Sequence, residues 1–149
     1  MDKKTQIQVL LVEDNITDAI LLREALAQND LIVFELTTVE RLHAALEALQ
    51  KTTFAIILLD LGLPDSQGLE TFNRIHQGAP AIPKVILSGF TDEAFALQAV
   101  QAGAQDYLVK GTTGFVSAAR AIRYAIERQL AQEAFHESEA RYHRVLDTM

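Results

Sequence analysis

The 149-residue sequence contains no cysteine, which excludes disulfide bonds and thiolate metal sites and fits a reducing compartment. It also lacks any apolar run that approaches the roughly 20 residues needed to span a bilayer. Residues 1–6 do not contain the apolar core of a secretory signal peptide. We therefore expect a cytoplasmic protein with no membrane segment in this part of the chain.

Positive charge is scarce, with 13 Lys and Arg against 20 Asp and Glu and a net charge of −7. The deficit lies in residues 1–110, which hold 8 basic and 15 acidic residues, whereas residues 111–149 hold 5 of each. A nucleic-acid-binding surface needs a basic face or stripe, so we expect this segment to bind no nucleic acid. The 49% of hydrophobic residues is sufficient for one domain with its own core.

Four short apolar runs each end in a polar residue of a type that carries chemistry. Residues 9–12 precede Glu13 and Asp14, residues 56–59 precede Asp60, residues 85–87 precede Ser88, and residues 108–109 precede Lys110. Continuous runs rich in Val, Ile and Leu are typical of parallel strands that helices cover on both faces. Ligands of such sheets bind beyond the carboxyl ends of the strands. Strands lying side by side would therefore bring three carboxylates, a hydroxyl and an ammonium together.

Predicted helices alternate with these strands. The sequence predicts strands at residues 9–12, 32–36, 54–59, 84–87 and 106–109, and helices that start near Asn15 and cover 39–50, 69–76 and 91–103. This alternation implies right-handed crossovers and a parallel sheet. We predict an α/β fold, a flavodoxin-like doubly wound five-stranded parallel sheet in the order 2-1-3-4-5. That order places the first and third strands side by side at the switch point.

The end of the sequence predicts one long helix. From Thr113 onward there are no further strand signals but a long stretch of helix formers, in which apolar positions continue through Ile122, Ile126 and Leu130 to Leu146. A helix that covers the sheet needs only about 12–15 residues. We therefore divide the chain into a domain over residues 1–125 and a helical linker over residues 126–149, with an output domain expected beyond it. A dimeric coiled coil is one interpretation of the linker, although its apolar spacing is irregular.

The three acidic residues indicate a metal site. Glu13, Asp14 and Asp60 at one edge would raise one another's pKa unless a counter-charge lay between them. Mg²⁺ suits such a site, because it binds oxygen ligands and often takes one or two carboxylates together with waters and a phosphate. Taken alone, the pair Glu13 and Asp14 is more typical of a helix start.

Asp60 follows a wholly apolar run, so its carboxylate emerges where the strand stops. A carboxylate in that place can be a nucleophile toward phosphorus. Lys110 would neutralise the phosphoryl oxygens, and the Ser88 hydroxyl would donate a hydrogen bond to them. Taken singly, a solvated strand end for Lys110 and a turn hydroxyl for Ser88 are the simpler interpretations.

This set of motifs resembles the receiver domain of two-component response regulators. The matching segments are Leu11-Val12-Glu13-Asp14-Asn15, Leu59-Asp60-Leu61-Gly62-Leu63-Pro64, Leu87-Ser88-Gly89 and Asp106-Tyr107-Leu108-Val109-Lys110. They span residues 7–125 in the order and spacing of that family. The sequence departs from it in having Gly111 after Lys110, where proline is common, and Gln67 before Gly68, where aspartate is usual. The isomer of the Lys110–Gly111 peptide bond is therefore left open.

The resemblance implies a role for each of these residues. Asp60 would accept a phosphoryl group from a histidine kinase or a histidine phosphotransfer protein, and Ser88 and Lys110 would bind that group. Glu13, Asp14, Asp60 and the Gly62 carbonyl would hold Mg²⁺. Ser88 and Tyr107 would switch the surface formed by the fourth helix, fifth strand and fifth helix. A homodimer through that surface and the C-terminal helix would follow.

Residues 134–142 resemble the helical lead-in to a PAS-type domain. Within them, His136-Glu137 does not begin a zinc-binding HExxH motif, because position 140 is Ala140. The residues that usually follow the histidine of a kinase phosphorylation box are also missing, and a solvated helix histidine is the simplest interpretation.

Two other functions compete with a receiver, which itself would not be an enzyme. A phosphatase with an aspartate nucleophile would need a second carboxylate two residues later as the general acid, and that position is Gly62. A receiver-like module that only dimerises would have no use for the complete set of acidic, hydroxyl and lysine residues.

Overall fold

The computed structural model describes residues 5–89 and 93–147. We number the five strands of the main sheet and the five main helices. They are β1 (Thr5–Val12), α1 (Ile16–Ala27), β2 (Ile32–Val39), α2 (Leu42–Lys51), β3 (Ile56–Asp60), α3 (Leu69–Gly78), β4 (Lys84–Ser88), α4 (Glu93–Gln101), β5 (Asp106–Val109) and α5 (Ala118–Asp147). A small hairpin pairs Gly62–Leu63 with Ser66–Gln67, and a helical turn spans Thr112–Phe115.

The main sheet has the order β2-β1-β3-β4-β5, and every neighbouring pair is parallel, which confirms the predicted topology. Two backbone hydrogen bonds extend the pairing past the strand ends. The Glu13 N–H donates to the Val39 carbonyl at 2.9 Å, and the Lys110 N–H donates to the Ser88 carbonyl at 2.8 Å. The register therefore leaves Glu13, Asp60, Ser88 and Lys110 along one edge of the sheet.

Helices bury both faces of the sheet, which explains why the strands are continuous apolar runs. On one face, Leu10 and Ile57 pack in a cluster with Phe72 of α3. On the other face, Leu11 packs in a cluster with Leu22 of α1. Each fully buried aliphatic or aromatic side chain contributes about 1.5–3 kcal/mol, so these clusters fix the strands that carry the polar edge.

The boundary between β2 and α2 differs from the prediction. The sequence pattern ends the strand at residue 36 and starts the helix at 39, whereas β2 continues to Val39 in register with β1 and α2 begins at Leu42. The N-cap residue Arg41 makes no side-chain cap. Instead, the Asp65 carboxylate accepts the N–H groups of Leu42 at 2.8 Å and His43 at 3.1 Å. A cap from a distant loop leaves no local signal in the sequence.

The start of α1 is as predicted. Asn15 is its N-cap, and the Asn15 side chain accepts the backbone N–H of Asp18 at 3.0 Å. α4 ends at Gln101, and Gly103 follows with φ of +129°, a region that favours glycine. Thr91 and Asp92, which the sequence marks as the start of the fourth helix, lie outside the described residues.

The C-terminal helix α5 is 30 residues long and runs without a break past residue 125. Gln105, just before β5, contacts it repeatedly: its side chain donates to the Gln129 and Gln132 side chains at 3.0 and 3.2 Å, and its carbonyl accepts from Arg128 at 3.0 Å. The division at residues 125 and 126 stays a prediction. Among the described residues, no helix combines the length and apolar content required to cross a membrane.

Candidate functional site

The polar residues at the sheet edge are unequally exposed. Glu13, Asp60 and Ser88 are buried, with 1%, 7% and 1% of their surface exposed, whereas Asp14 is exposed. Their burial follows from the strands that precede them, which are covered on both faces. A buried carboxylate is strongly destabilising unless a charge or hydrogen bond compensates it, so the partners of Glu13 and Asp60 are decisive.

Lys110 supplies that compensation. Its ammonium donates hydrogen bonds to Asp60 Oδ2 at 2.7 Å and Glu13 Oε1 at 3.1 Å, and its nitrogen lies 2.9 Å from Glu13 Oε2 and 3.3 Å from Asp18 Oδ2. Hydrogen bonds between an ammonium and a carboxylate are short and strong because both groups are charged. Lys110, which follows β5, therefore connects Glu13 after β1, Asp60 at the end of β3 and Asp18 in the first turn of α1.

The site raises the pKa of two of its groups, Glu13 and Lys110. Burial, together with the neighbouring Asp60 carboxylate, raises the pKa of Glu13 to about 7. Burial by itself would lower the pKa of Lys110, but its hydrogen bonds to Asp60 and Glu13 outweigh that effect and raise the pKa. Lys110 is thus a permanent cation, and the negative charge around it exceeds what one ammonium neutralises.

The remaining negative charge suits a hard divalent cation. Carboxylate oxygens of Glu13, Asp14 and Asp60 lie within 4.8 Å of one another. Glu13 Oε2 is buried and, although Lys110 is close, accepts no well-aligned hydrogen bond from the described residues. An oxygen-only donor set with an unsatisfied carboxylate oxygen is the chemistry that Mg²⁺ selects. The residues present therefore fit a magnesium ion.

Gly62 adjoins this group through its backbone. The Gly62 N–H donates to Asp60 Oδ1 at 2.9 Å, so both oxygens of Asp60 have a partner, one being Gly62 and the other Lys110. This bond fixes the orientation of the carboxylate. The use of the Gly62 carbonyl as a metal ligand stays a prediction.

The two predicted switch residues make contacts outside the carboxylate group. The Ser88 hydroxyl donates to the Gly89 carbonyl at 3.0 Å. The Tyr107 hydroxyl donates to Glu93 Oε1 of α4 at 3.3 Å, on the surface formed by α4 and β5. Ser88 is therefore adjacent to the site in register but turned to its own backbone, and Tyr107 is engaged with α4.

Asp18, in the first turn of α1, also lies near Lys110, although the sequence pattern indicates only a helix that starts near Asn15. Its position in the first turn of a helix that begins at the sheet edge was the available signal, since that turn follows Glu13 and Asp14 directly. The peptide bond after Lys110, left open by the sequence, is trans, because the described residues contain no cis bond. Gly111 has φ of +119°, which favours the glycine found there.

Comparison with known proteins gives a consistent result. A family model described as the response regulator receiver domain matches residues 9–114. The KDP operon transcriptional regulatory protein KdpE of Escherichia coli (strain K12) is 37% identical over 126 residues, which cover 85% of this chain and 54% of that protein. The transcriptional regulatory protein KdpE of Staphylococcus aureus (strain NCTC 8325) is 35% identical over 105 residues, covering 70% and 44%. The chain thus spans about half the length of these relatives.

Solved structures share the fold. Full-length FixJ from B. japonicum has a TM-score of 0.75 and 25% identity, over 92% of this chain and 64% of that chain. The signal receiver domain of an HD domain-containing protein from Pseudomonas fluorescens Pf-5 has a TM-score of 0.72 and 21% identity, over 90% and 96%. The second similarity shows the fold alone.

Proposed function

Because the chain belongs to the family of response regulator receiver domains, we propose that it is a phosphoryl-accepting switch of a two-component system with Asp60 as its acceptor. The observation that carries this assignment is the environment of Asp60. Its carboxylate stands at the end of a buried strand, 2.7 Å from Lys110 Nζ and beside Glu13 and Asp14. No other arrangement of the described residues combines a held carboxylate, a cation and metal-type ligands.

The transfer forms one bond and breaks another. An oxygen of the Asp60 carboxylate forms a bond to the phosphorus of a phosphohistidine on a histidine kinase or histidine phosphotransfer protein. The P–N bond breaks, and its electron pair leaves with the imidazole nitrogen, which takes a proton. Lys110 neutralises the negative charge that arrives, and Ser88 turns its hydroxyl from the Gly89 carbonyl to a phosphoryl oxygen.

We assign the metal position to Mg²⁺, with Glu13, Asp14, Asp60 and the Gly62 carbonyl as ligands. When bound, the ion supplies positive charge between the carboxylates and the incoming phosphoryl oxygens. Two backbone N–H groups hold the carboxylate ligands in place: the N–H of Gly62 orients Asp60, and the N–H of Asn15 donates to Glu13 Oε1 at 3.0 Å.

The switch would act as a population shift between two arrangements of the edge. Once Ser88 has moved to the phosphoryl group, Tyr107 would turn into the vacated space and give up its bond to Glu93. That bond lies between β5 and α4, so its loss would alter the surface formed by α4, β5 and α5. Ser88 and Tyr107 are accordingly the proposed switch residues.

The partners follow from the same surface and from α5. We assign the chain a homodimer through the α4, β5 and α5 surface and the C-terminal helix, on which Leu130 is 61% exposed. The linker over residues 126–149 would lead to a PAS-type output domain. We place the protein in the cytoplasm and assign this acidic segment no nucleic acid and no membrane. Deletion of residues 130–149, which removes Leu130 and keeps the Gln105 contacts with Arg128 and Gln129, should weaken dimerisation in solution mass measurements.

Intact mass after incubation with acetyl phosphate tests the central assignment. The wild type should gain one phosphoryl group in the presence of Mg²⁺ and none after its removal. Asp60→Asn should gain none, whereas Asp65→Asn, a change of the same kind outside the cluster, should behave like the wild type. Uptake by Asp60→Asn at the same site would overturn the assignment.

Two further outcomes separate the competing functions. Absence of uptake by the wild type would favour a module that only dimerises. Continuous release of phosphate over many turnovers would favour a phosphatase, which we do not expect because Gly62 occupies the position of the general acid.

A further inference from the structure

We propose that Asp18 is a positioning residue that holds the Lys110 ammonium in the unphosphorylated state and competes for it with the phosphoryl group. The inference rests on the proposed function of Asp60 as acceptor. Asp18 Oδ2 lies 3.3 Å from Lys110 Nζ, on the α1 side of the site. It adds a further carboxylate to an ammonium that already binds Glu13 and Asp60.

The place of Asp18 is fixed by the start of α1. The Asn15 side chain accepts the Asp18 N–H at 3.0 Å, which holds the first turn of the helix. Only 20% of the Asp18 side chain is exposed. The contact with Lys110 therefore comes from a well-held backbone position and a largely buried carboxylate, rather than from a free surface side chain.

The Lys110 ammonium is shared among three carboxylates. Of its three N–H donors, two are hydrogen-bonded to Asp60 Oδ2 and Glu13 Oε1, and Asp18 lies within ion-pair distance. A phosphoryl group on Asp60 brings about two negative charges and needs the same ammonium. The phosphoryl group takes over the ammonium contact of the Asp60 carboxylate and, with its larger negative charge, competes for the ammonium with Glu13 and Asp18.

Of the two competing carboxylates, Asp18 is the one more easily displaced. Its distance from Lys110 Nζ is the longest of the three, at 3.3 Å against 2.7 and 2.9 Å. Its side chain is also the most exposed, at 20% against 9% for Asp60 and 0% for Glu13, so water replaces the lost bond most readily there. The resting contact opposes phosphorylation by the free energy of the Asp18–Lys110 pair.

Removing the charge of Asp18 should therefore favour the phosphorylated form. Ion pairs with partial exposure change an equilibrium by about two- to fivefold. Asp18→Asn should bind beryllofluoride, a non-covalent analogue of the phosphoryl group, about two- to fivefold more tightly than the wild type in Mg²⁺. Asp18→Glu keeps the charge and should stay close to the wild type. Asp30→Asn, which removes the same charge from an exposed position after α1, should leave the affinity unchanged.

The result separates a positioning role from a structural one. Were Asp18 needed only for the first turn of α1, Asp18→Asn would bind beryllofluoride less tightly, and urea denaturation would show a parallel loss of stability. Affinity equal to or below that of the wild type, or an equal gain in Asp30→Asn, would overturn the inference. Uptake of a phosphoryl group by the wild type from acetyl phosphate is measured alongside. If that uptake is absent the proposed function fails, and if it is present with no gain in Asp18→Asn only the role of Asp18 fails.

Discussion

Glu13→Gln should stabilise the protein at alkaline pH and have no such effect in acid. The substitution replaces a buried carboxyl by an amide of similar shape, whose carbonyl can still accept the Asn15 N–H. The pKa of Glu13 is raised from 4.5 to about 7, mainly by burial and then by Asp60. One pKa unit corresponds to about 1.4 kcal/mol, so ionised Glu13 destabilises the folded state by about 3 kcal/mol.

The sign of the effect follows from linkage. A carboxyl group whose folded-state pKa is raised binds its proton more tightly in the folded than in the unfolded protein. The stability from the neutral form is fully present below pH 4.5 and is lost as pH rises through about 7. Glutamine is neutral throughout. The free energy of unfolding of Glu13→Gln should therefore exceed that of the wild type by up to about 3 kcal/mol at pH 8, and the excess should disappear near pH 4.5.

Urea denaturation at the two pH values, without divalent cations, measures this difference. Glu24→Gln, the same change at an exposed position of α1, is the matched control and should show no comparable pH dependence. Adding Mg²⁺ at pH 8 should stabilise the wild type more than Glu13→Gln, because a bound cation favours the ionised carboxylate. Equal stabilities of wild type and Glu13→Gln at pH 8, or one constant difference at both pH values, would refute the electrostatic account of this site.

Three other changes test the scaffold. Burial lowers the pKa of Lys84 from 10.5 to about 8, so wild-type stability should increase as pH rises from about 8 to 10.5. Methionine does not titrate. In urea denaturation, the stability of Lys84→Met relative to wild type should therefore fall by about 3 kcal/mol over that range. Asp65→Ala removes the cap of α2 and should lower the free energy of unfolding by about 0.5–2 kcal/mol. Its hydrogen bonds to the His43 and Leu42 N–H groups outweigh the opposing effect of burial and lower the Asp65 pKa, so this contribution should be lost as pH falls through that pKa. Gly114→Ala would place a Cβ 1.7 Å from the Val109 carbonyl oxygen and should cost about 1–3 kcal/mol in thermal unfolding.

The sheet and most of the site could be predicted from the sequence because their signals are local. Each strand that ends at the site is an apolar run that needs no partner to be recognised, and a parallel sheet brings the ends of such runs to one edge. Asp60 and Lys110 lie 50 positions apart in the chain, yet the sequence predicts the location of both because each stands where an apolar run ends. Their contact at 2.7 Å is therefore a consequence of topology.

What could not be predicted depends on contacts between segments that are distant in the sequence. The start of α2 is set by Asp65, which lies 23 positions beyond Leu42, and local spacing placed that start three residues too early. The resting contacts of Ser88 and Tyr107 depend on rotamers, which a motif does not specify. The position of Asp18 in the sequence indicates only the first turn of a helix. Its contact with Lys110 depends on how α1 packs against the sheet edge, which the local sequence does not show.

The arrangement around Lys110 makes charge at the site a property of four elements together. Glu13 follows β1, Asp18 belongs to α1, Asp60 ends β3, and Lys110 follows β5. Because one ammonium compensates carboxylates from three of them, any gain of negative charge on Asp60 must draw the ammonium from the others. The weakest contact, that with Asp18, then yields first. The same ammonium that stabilises the resting site therefore sets how readily the site accepts a phosphoryl group. A substitution of Lys110 would change both properties at once.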